Sequence, residues 1–322
     1  MFSRVLSKVN RALKYTTARR VLRATELAIF SRYQIGRDVL HSDWDLLIIL
    51  DTCRIDALAS FSGRYPWLRE TNFSKITSRG GSTLEWTAQT FCQKNRNRAA
   101  EVTYLAGNPL VEEVLTGRET PEERAGVEAT PTKWNILTPD DLNQFIPVYQ
   151  KRREDGTTYF NDRPHPGPEI ITNETIRVGR ENDASRVVAH YMQPHSPYLA
   201  RASESEELLE YELHPFPYLK EGGDREKVWH AYINELDSAL SEVNVLLENF
   251  EADRVVITSD HGEAFGEYRG YGHRAGSINP YIRRVPWVVT EAVDRNSRVP
   301  DFDDIIEVEQ TRDDILEALG YL

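Results

Sequence analysis

The stretch Arg254-Val-Val-Ile-Thr-Ser-Asp260-His261-Gly262-Glu-Ala-Phe-Gly-Glu-Tyr-Arg-Gly-Tyr-Gly-His273 decides the fold. Val255, Val256 and Ile257 form an apolar run that reads as a buried strand, and the run breaks at Asp260-His261-Gly262. A carboxylate and an imidazole at the carboxyl end of a strand can reach one cation, while Gly262 lets the backbone turn without a steric penalty. An Asp-His-Gly turn without a metal reads the same way, so a second signal is needed.

That signal lies about two hundred residues upstream. Trp44-Asp-Leu-Leu-Ile-Ile-Leu50 is a near-continuous apolar run ending in Asp51-Thr52-Cys53-Arg54. Such runs fit parallel strands covered on both faces, so the chain is predicted to be α/β, with a central, mostly parallel sheet flanked by helices and its site at the carboxyl ends of the strands. Asp51 and Asp260 would then converge.

The paired motifs resemble the alkaline phosphatase and sulfatase superfamily, above all its sulfatase-like branch. The early signature Asp-Thr-x-Arg-x-Asp is met by Asp51, Thr52, Arg54 and Asp56, and the late Ser-Asp-His-Gly-Glu by Ser259 to Glu263, with Gly266-Glu267 after it. The resemblance covers residues 44–320 and implies an alkaline-phosphatase-like sandwich. It further implies a metal-dependent hydrolase or transferase of phosphate esters, or a sulfatase. Its divalent cation (Mn, Zn, Mg or Ca) would be held by Asp51, Asp260, His261 and His273, with Arg54 binding substrate.

Between the two motifs, Arg79-Gly-Gly-Ser82-Thr83-Leu84-Glu85-Trp86 delivers two hydroxyls to the start of a helical stretch. The macrodipole at a helix N-terminus favours an anion, which suits a nucleophile attacking phosphate, although Ser and Thr are also the best caps there. In the superfamily this slot holds the nucleophile. Sulfatases use Cys/Ser-x-Pro-x-Arg, converted to formylglycine, whereas phosphotransferases keep an unmodified Ser or Thr. Alignment on that pattern puts Ser82 at the nucleophile, with Leu84 and Trp86 replacing proline and arginine; Thr83 is the rival if the loop slips by one residue.

Pro194-His195-Ser-Pro197-Tyr198 also resembles the superfamily, where its histidine contacts the transferred group or the leaving oxygen; that role falls to His195. His273 resembles the second histidine of lipid-linked phosphoethanolamine transferases, which binds phosphate or a second metal. His190 alternates with apolar positions and reads as a core residue bonded to backbone.

Hydrophobic residues make up 40% of the chain and charged ones 28%, as in a globular domain, and no apolar run approaches the roughly 20 residues that span a bilayer. Residues 1–42 hold nine basic side chains against Glu26 and Asp38, so this leader carries +7 of a chain whose net charge is −12. Within it Phe2, Val5, Leu6, Val9 and Leu13 recur at helical spacing, as in an amphipathic helix able to contact an anionic membrane surface. The acidic remainder, residues 43–322, forms the sulfatase-like domain and argues against nucleic acid as a partner. A small-molecule or lipid- or glycan-linked phosphate or sulfate ester is the expected substrate. Two cysteines and a start broken up by Lys8, Arg11 and Lys14 suggest a cytoplasmic, membrane-peripheral setting. A catalytically silent binding protein of the same fold is the remaining alternative; metal analysis separates it from the enzymes.

Overall fold

The computed structural model describes residues 17–153, 167–181, 186–201, 208–302 and 305–307. The amphipathic repeat of residues 2–13 and a closing helix expected from Thr311 to Leu322 lie outside them.

Seven strands form the central sheet: β1 (Leu46–Leu50), β2 (Phe73–Thr77), β3 (Val102–Ala106), β4 (Gln144–Ile146), β5 (Arg186–Tyr191), β6 (Ala252–Thr258) and β7 (Arg284–Ala292). Their order is β2-β7-β6-β1-β5-β3-β4. β6, β1, β5, β3 and β4 pair in parallel, and β7 runs antiparallel to both β6 and β2. The predicted α/β class is therefore the observed one.

β1 sits at the centre, and every one of its residues is buried. Side chains alternate across a strand, so Leu46, Ile48 and Leu50 enter one core while Leu47 and Ile49 enter the other. The first core is closed by α4 (Pro168–Glu181) and α5 (Arg225–Leu247), and the second by α3 (Thr83–Thr90), which follow α1 (17–30) and α2 (Ile55–Ala59) in chain order. In α5, Tyr232, Leu236, Leu240, Val243 and Leu247 recur at helical spacing and are buried, and Asp224 caps the helix by accepting from the Glu226 N–H at 2.9 Å.

Two details depart from the sequence reading. Gln144–Ile146 joins the sheet beside β3, although no apolar run in the sequence marks it as a strand. Within the 1–42 leader, Leu27, Val39 and Leu40 are buried and Glu26 pairs with Arg274 at 2.7 Å, so this part is docked on the domain.

Candidate metal centre

The carboxyl ends of β1 and β6 lie side by side because the two strands pair in parallel, Ile49 opposite Thr258. Asp51 and Asp260 follow these ends and are both fully buried. The turn after Asp51 is held by three contacts. The Thr52 N–H points to Asp260 Oδ1 at 3.4 Å, the Cys53 N–H donates to Ser259 Oγ at 2.9 Å, and the Tyr232 hydroxyl donates to the Thr52 carbonyl at 2.9 Å. Thr52 has φ 63°, rare for a β-branched residue; such strain persists only where its surroundings impose it. On the other turn, a Cβ on Gly262 would lie 2.2 Å from the Tyr281 carbonyl oxygen, so glycine is required for this close approach.

Thr83 is the first residue of α3, and its hydroxyl lies among the carboxylates. Oγ1 is 2.8 Å from Asp260 Oδ2, 3.3 Å from Asp51 Oδ2 and 3.3 Å from His261 Nε2. Ser82 occupies the N-cap, where its Oγ accepts from the Glu85 N–H at 3.4 Å. The loop is drawn in by Glu85, whose fully buried carboxylate accepts from the N–H groups of Gly81 (2.7 Å) and Gly276 (2.9 Å). One residue of helix register thus separates the cap from the hydroxyl that meets the carboxylates.

Asn108 completes the cluster. Its Nδ2 donates to Asp51 Oδ2 and lies 3.3 Å from Thr83 Oγ1. The sequence reading gave Asn108 no role, although it lies two residues past the end of β3, on the same sheet edge as Asp51 after β1; a polar residue just beyond a buried parallel strand was the available signal. His190 differs from its reading too. Its Nδ1 meets the Tyr104 hydroxyl at 2.6 Å, not backbone, and its Nε2 lies 3.8 Å from Asp51 Oδ2. Asp51, His190 and Asp260 offer ligand atoms that all lie within 4.8 Å of one another.

The electrostatics of this arrangement favour a cation. Burial and the neighbouring Asp260 push the Asp51 carboxyl well above the usual range, while Asp260, also buried, is held low by His261, His190 and the Thr83 hydroxyl. Two buried carboxylates on one hydroxyl cannot both ionise cheaply without a positive partner. Among the described residues Asp51 Oδ1 and His190 Nε2 have no hydrogen-bond partner, which fits ligand atoms facing a metal. His261 directs Nδ1 to the Gly262 carbonyl at 3.0 Å, which assigns the proton there and leaves the Nε2 lone pair toward Asp51 and Asp260. Burial lowers its pKa, as a neutral ligand requires. The residues therefore fit a divalent cation.

His195 and His273 stand next to this group. The His273 ring lies 4.3 Å from that of His261 and 5.3 Å from that of His195, centroid to centroid. His273 Nδ1 faces Glu263 Oε2 at 3.1 Å; burial opposes its protonation, but Glu263 outweighs burial and raises the pKa. His195 turns Nδ1 to the Ser196 carbonyl. Arg54 is directed elsewhere: its guanidinium grips Asp56 through Nε and Nη2 and reaches Glu267 at 2.9 Å through Nη1. The structure thus gathers Asp51, Asp260, His261, Thr83, His195 and His273, sets Ser82 as a cap, and turns the Arg54 side chain toward Asp56 and Glu267.

Glu235 of α5 supports the loop after His195 by accepting from the N–H groups of Leu199 (2.5 Å) and Ala200 (2.7 Å). Burial pushes its pKa up to about 7 from 4.5. A raised folded pKa means that stability is fully present below pH 4.5 and is lost as pH rises through 7. The gap corresponds to about 3 kcal/mol. Denaturant unfolding across pH 4.5 to 8 should show this loss, and Glu235→Gln should flatten it.

No protein-family model matches the chain, and no curated protein matches its sequence. Solved structures do match. The integral membrane lipooligosaccharide phosphoethanolamine transferase A of Neisseria meningitidis is 16% identical over 79% of this chain, with a TM-score of 0.45. This chain spans 48% of that protein's length. The periplasmic domain of phosphoethanolamine transferase EptC from Campylobacter jejuni is 17% identical over 76% of this chain and 78% of its own, TM-score 0.44. The periplasmic domain of EcEptC from Escherichia coli, in complex with Zn, is 14% identical over 84% and 79%, TM-score 0.41. A 2-O GAG sulfatase is among the further matches. All of these likenesses have TM-scores below 0.5, and the chemistry proposed below rests on the site's own geometry.

The cytoplasmic, membrane-peripheral expectation is corrected by these matches, because the EptC structures are periplasmic domains. Its physical basis was also weak: Cys53 and Cys92 are buried and unpaired, and thiols shielded in this way carry no signature of the surrounding redox state. Among the described residues, no helix is long and apolar enough to cross a membrane.

Proposed function

We propose that the chain is a metal-dependent hydrolase or transferase of phosphate esters that uses Thr83 as its nucleophile. The observation that carries this reading is the Thr83 hydroxyl, set at a helix N-terminus between two buried carboxylates and the Nε2 of His261. Asp51, Asp260 and His261, with His190 beside them, would hold a divalent cation. When bound, it supplies charge neutralisation and a lower pKa for the hydroxyl beside it.

The protein's own groups do the rest. Asp260 Oδ2 accepts the Thr83 hydroxyl proton and so fixes the direction of the oxygen lone pairs, and Asn108 holds both Asp51 and Thr83 in place. The N-terminus of α3 favours negative charge at this oxygen. His195 and His273 steady the non-bridging oxygens of the ester, and His273, more basic than usual through Glu263, carries a proton for the leaving oxygen. In-line positioning and charge neutralisation are what phosphoryl transfer chiefly needs.

A phosphate ester is favoured over a sulfate ester because Thr83 is neither the Cys nor the Ser that is converted to formylglycine, and Glu85 and Thr87 stand two and four residues after it where that pattern has proline and arginine. An unmodified hydroxyl can be cleared of a phosphoryl group by attack of water or an alcohol at phosphorus, whereas a sulfated threonine lacks the elimination route open to hydrated formylglycine. Purified protein should therefore turn over phosphomonoesters or phosphodiesters when supplied with Mn, Zn, Mg or Ca. Turnover of sulfate esters alone would contradict the reading. No turnover together with no bound metal would favour the silent binding protein.

A further inference from the structure

A cavity is walled in part by Arg54, Ile55 and Asp56, which follow the Asp51 turn. It has a volume of about 410 Å³, within the range of small-ligand sites, and its walls include Lys75, Arg284, Tyr268, Tyr281 and the Arg54–Asp56 pair. The wall at Tyr281 is directly behind the metal-ligand turn, where the Gly262 N–H donates to the next carbonyl, that of Ile282, at 2.8 Å.

Charge and backbone single this cavity out. On an acidic chain of net charge −12, Lys75 and Arg284 are exposed cations whose side chains have no partner among the described residues. They are cross-strand neighbours: Lys75 faces Pro286 and Arg284 faces Thr77, which puts both on one face of the β2–β7 ladder in the diagonal relation. Arg54 and Asp56 neutralise one another, so the uncompensated charge of the cavity is that of Lys75 and Arg284.

Tyr268 forms the opposite lip. It is 75% exposed and is held at φ 53°, with Arg269 next to it at φ 59°. Two successive non-glycine residues in the left-handed region are costly, and the turn is imposed by Glu267. The Glu267 carboxylate accepts from the Phe265 N–H at 2.7 Å and from Arg54, and its carbonyl accepts from Gly270 N–H at 2.9 Å. The result is a tyrosine displayed 6.3 Å, centroid to centroid, from Tyr281. The strained turn thus sets an exposed aromatic ring in the wall of the cavity that Lys75 and Arg284 also line.

We infer that this cavity is a binding site for an organic phosphate, its anionic group between Lys75 and Arg284 and its body against Tyr268 and Tyr281. The phosphate belongs to a soluble ester or to a phospholipid headgroup. The inference is independent of the Thr83 chemistry, because binding is read in metal-free protein that cannot turn over.

The test is calorimetric titration of phenyl phosphate into metal-free, full-length protein carrying Thr83→Ala. Saturable binding is expected, weakened about tenfold or more when Lys75→Ser and Arg284→Ser are added together, and about threefold by Tyr268→Ala. The binding that the double substitution removes should persist in His195→Ala. A parallel arm measures binding of phosphatidylglycerol/phosphatidylcholine vesicles by the same chains. Weakening of the phenyl phosphate titration by the double substitution assigns the site to soluble esters, and a loss confined to vesicles assigns it to lipid headgroups. If the double variant equals its parent in both assays, or if His195→Ala removes the phenyl phosphate binding, the inference is overturned. Lys75 and Arg284 are exposed and have no side-chain partner among the described residues, so their replacement leaves the fold intact.

Discussion

Thr83→Ala is expected to lower turnover on the order of 10⁴-fold or more while the protein still folds and still takes up metal, because it removes the attacking oxygen and little else. Ser82→Ala is expected to cost about 1 kcal/mol of stability and to spare most of the rate, since Ser82 Oγ serves as the cap of α3. Thr83→Ser keeps an oxygen at the same place and should retain measurable activity. Steady-state kinetics with the best phosphate ester, beside unfolding curves for each variant, separate the two residues. Loss of turnover in Ser82→Ala with an active Thr83→Ala would return the role to Ser82.

The second large effect should have opposite signs with and without metal. In metal-free protein near neutral pH, Asp51 is a buried carboxyl raised well above its usual range by burial and by Asp260. Stability from a group raised in this way is present below its unfolded value and is lost as pH rises through its folded one. Asp51→Asn removes that cost, and its side-chain oxygen can still accept from Asn108. The metal-free variant is therefore expected to be at least as stable as the parent at pH 7. With a divalent cation at about a hundredfold excess over its dissociation constant, the parent should gain about 2.7 kcal/mol, and the variant should gain almost nothing. A parent and a variant that respond equally to metal would remove Asp51 from the centre.

Much of this centre was legible because its two carboxylates close apolar runs. Leu46–Leu50 and Val255–Ile257 are recognisable as buried strands, and parallel pairing then forces Asp51 and Asp260 together. What the sequence left open was decided by geometry that it does not carry. Ser82 and Thr83 differ only in which of them begins α3, a single step of register that moves a hydroxyl from the cap to the carboxylates. His190 alternates with apolar neighbours like any core residue, and only the pairing of β1 with β5 brings it to the Asp51 carboxylate. β4 is a three-residue strand without an apolar run to announce it, and the antiparallel direction of β7 depends on the path of the connecting loop. Tyr232 was visible as one apolar position on a helix, yet its hydroxyl also accepts from the Arg54 N–H at 2.9 Å and donates to the Thr52 carbonyl, so it clamps the Asp51 turn. Arg54 could equally have pointed to a substrate or to Asp56, and the added pull of Glu267 at 2.9 Å decides for the carboxylates.

The central claim is that a phosphoryl-type group passes to the Thr83 oxygen. The most direct measurement is peptide mapping by mass spectrometry after rapid acid quench of metal-loaded protein mixed with a phosphate ester. The account predicts one added group on the peptide that contains Ser82 and Thr83, assigned by fragmentation to Thr83 and absent from Thr83→Ala. An adduct on Ser82, or turnover that persists in Thr83→Ala, would contradict it.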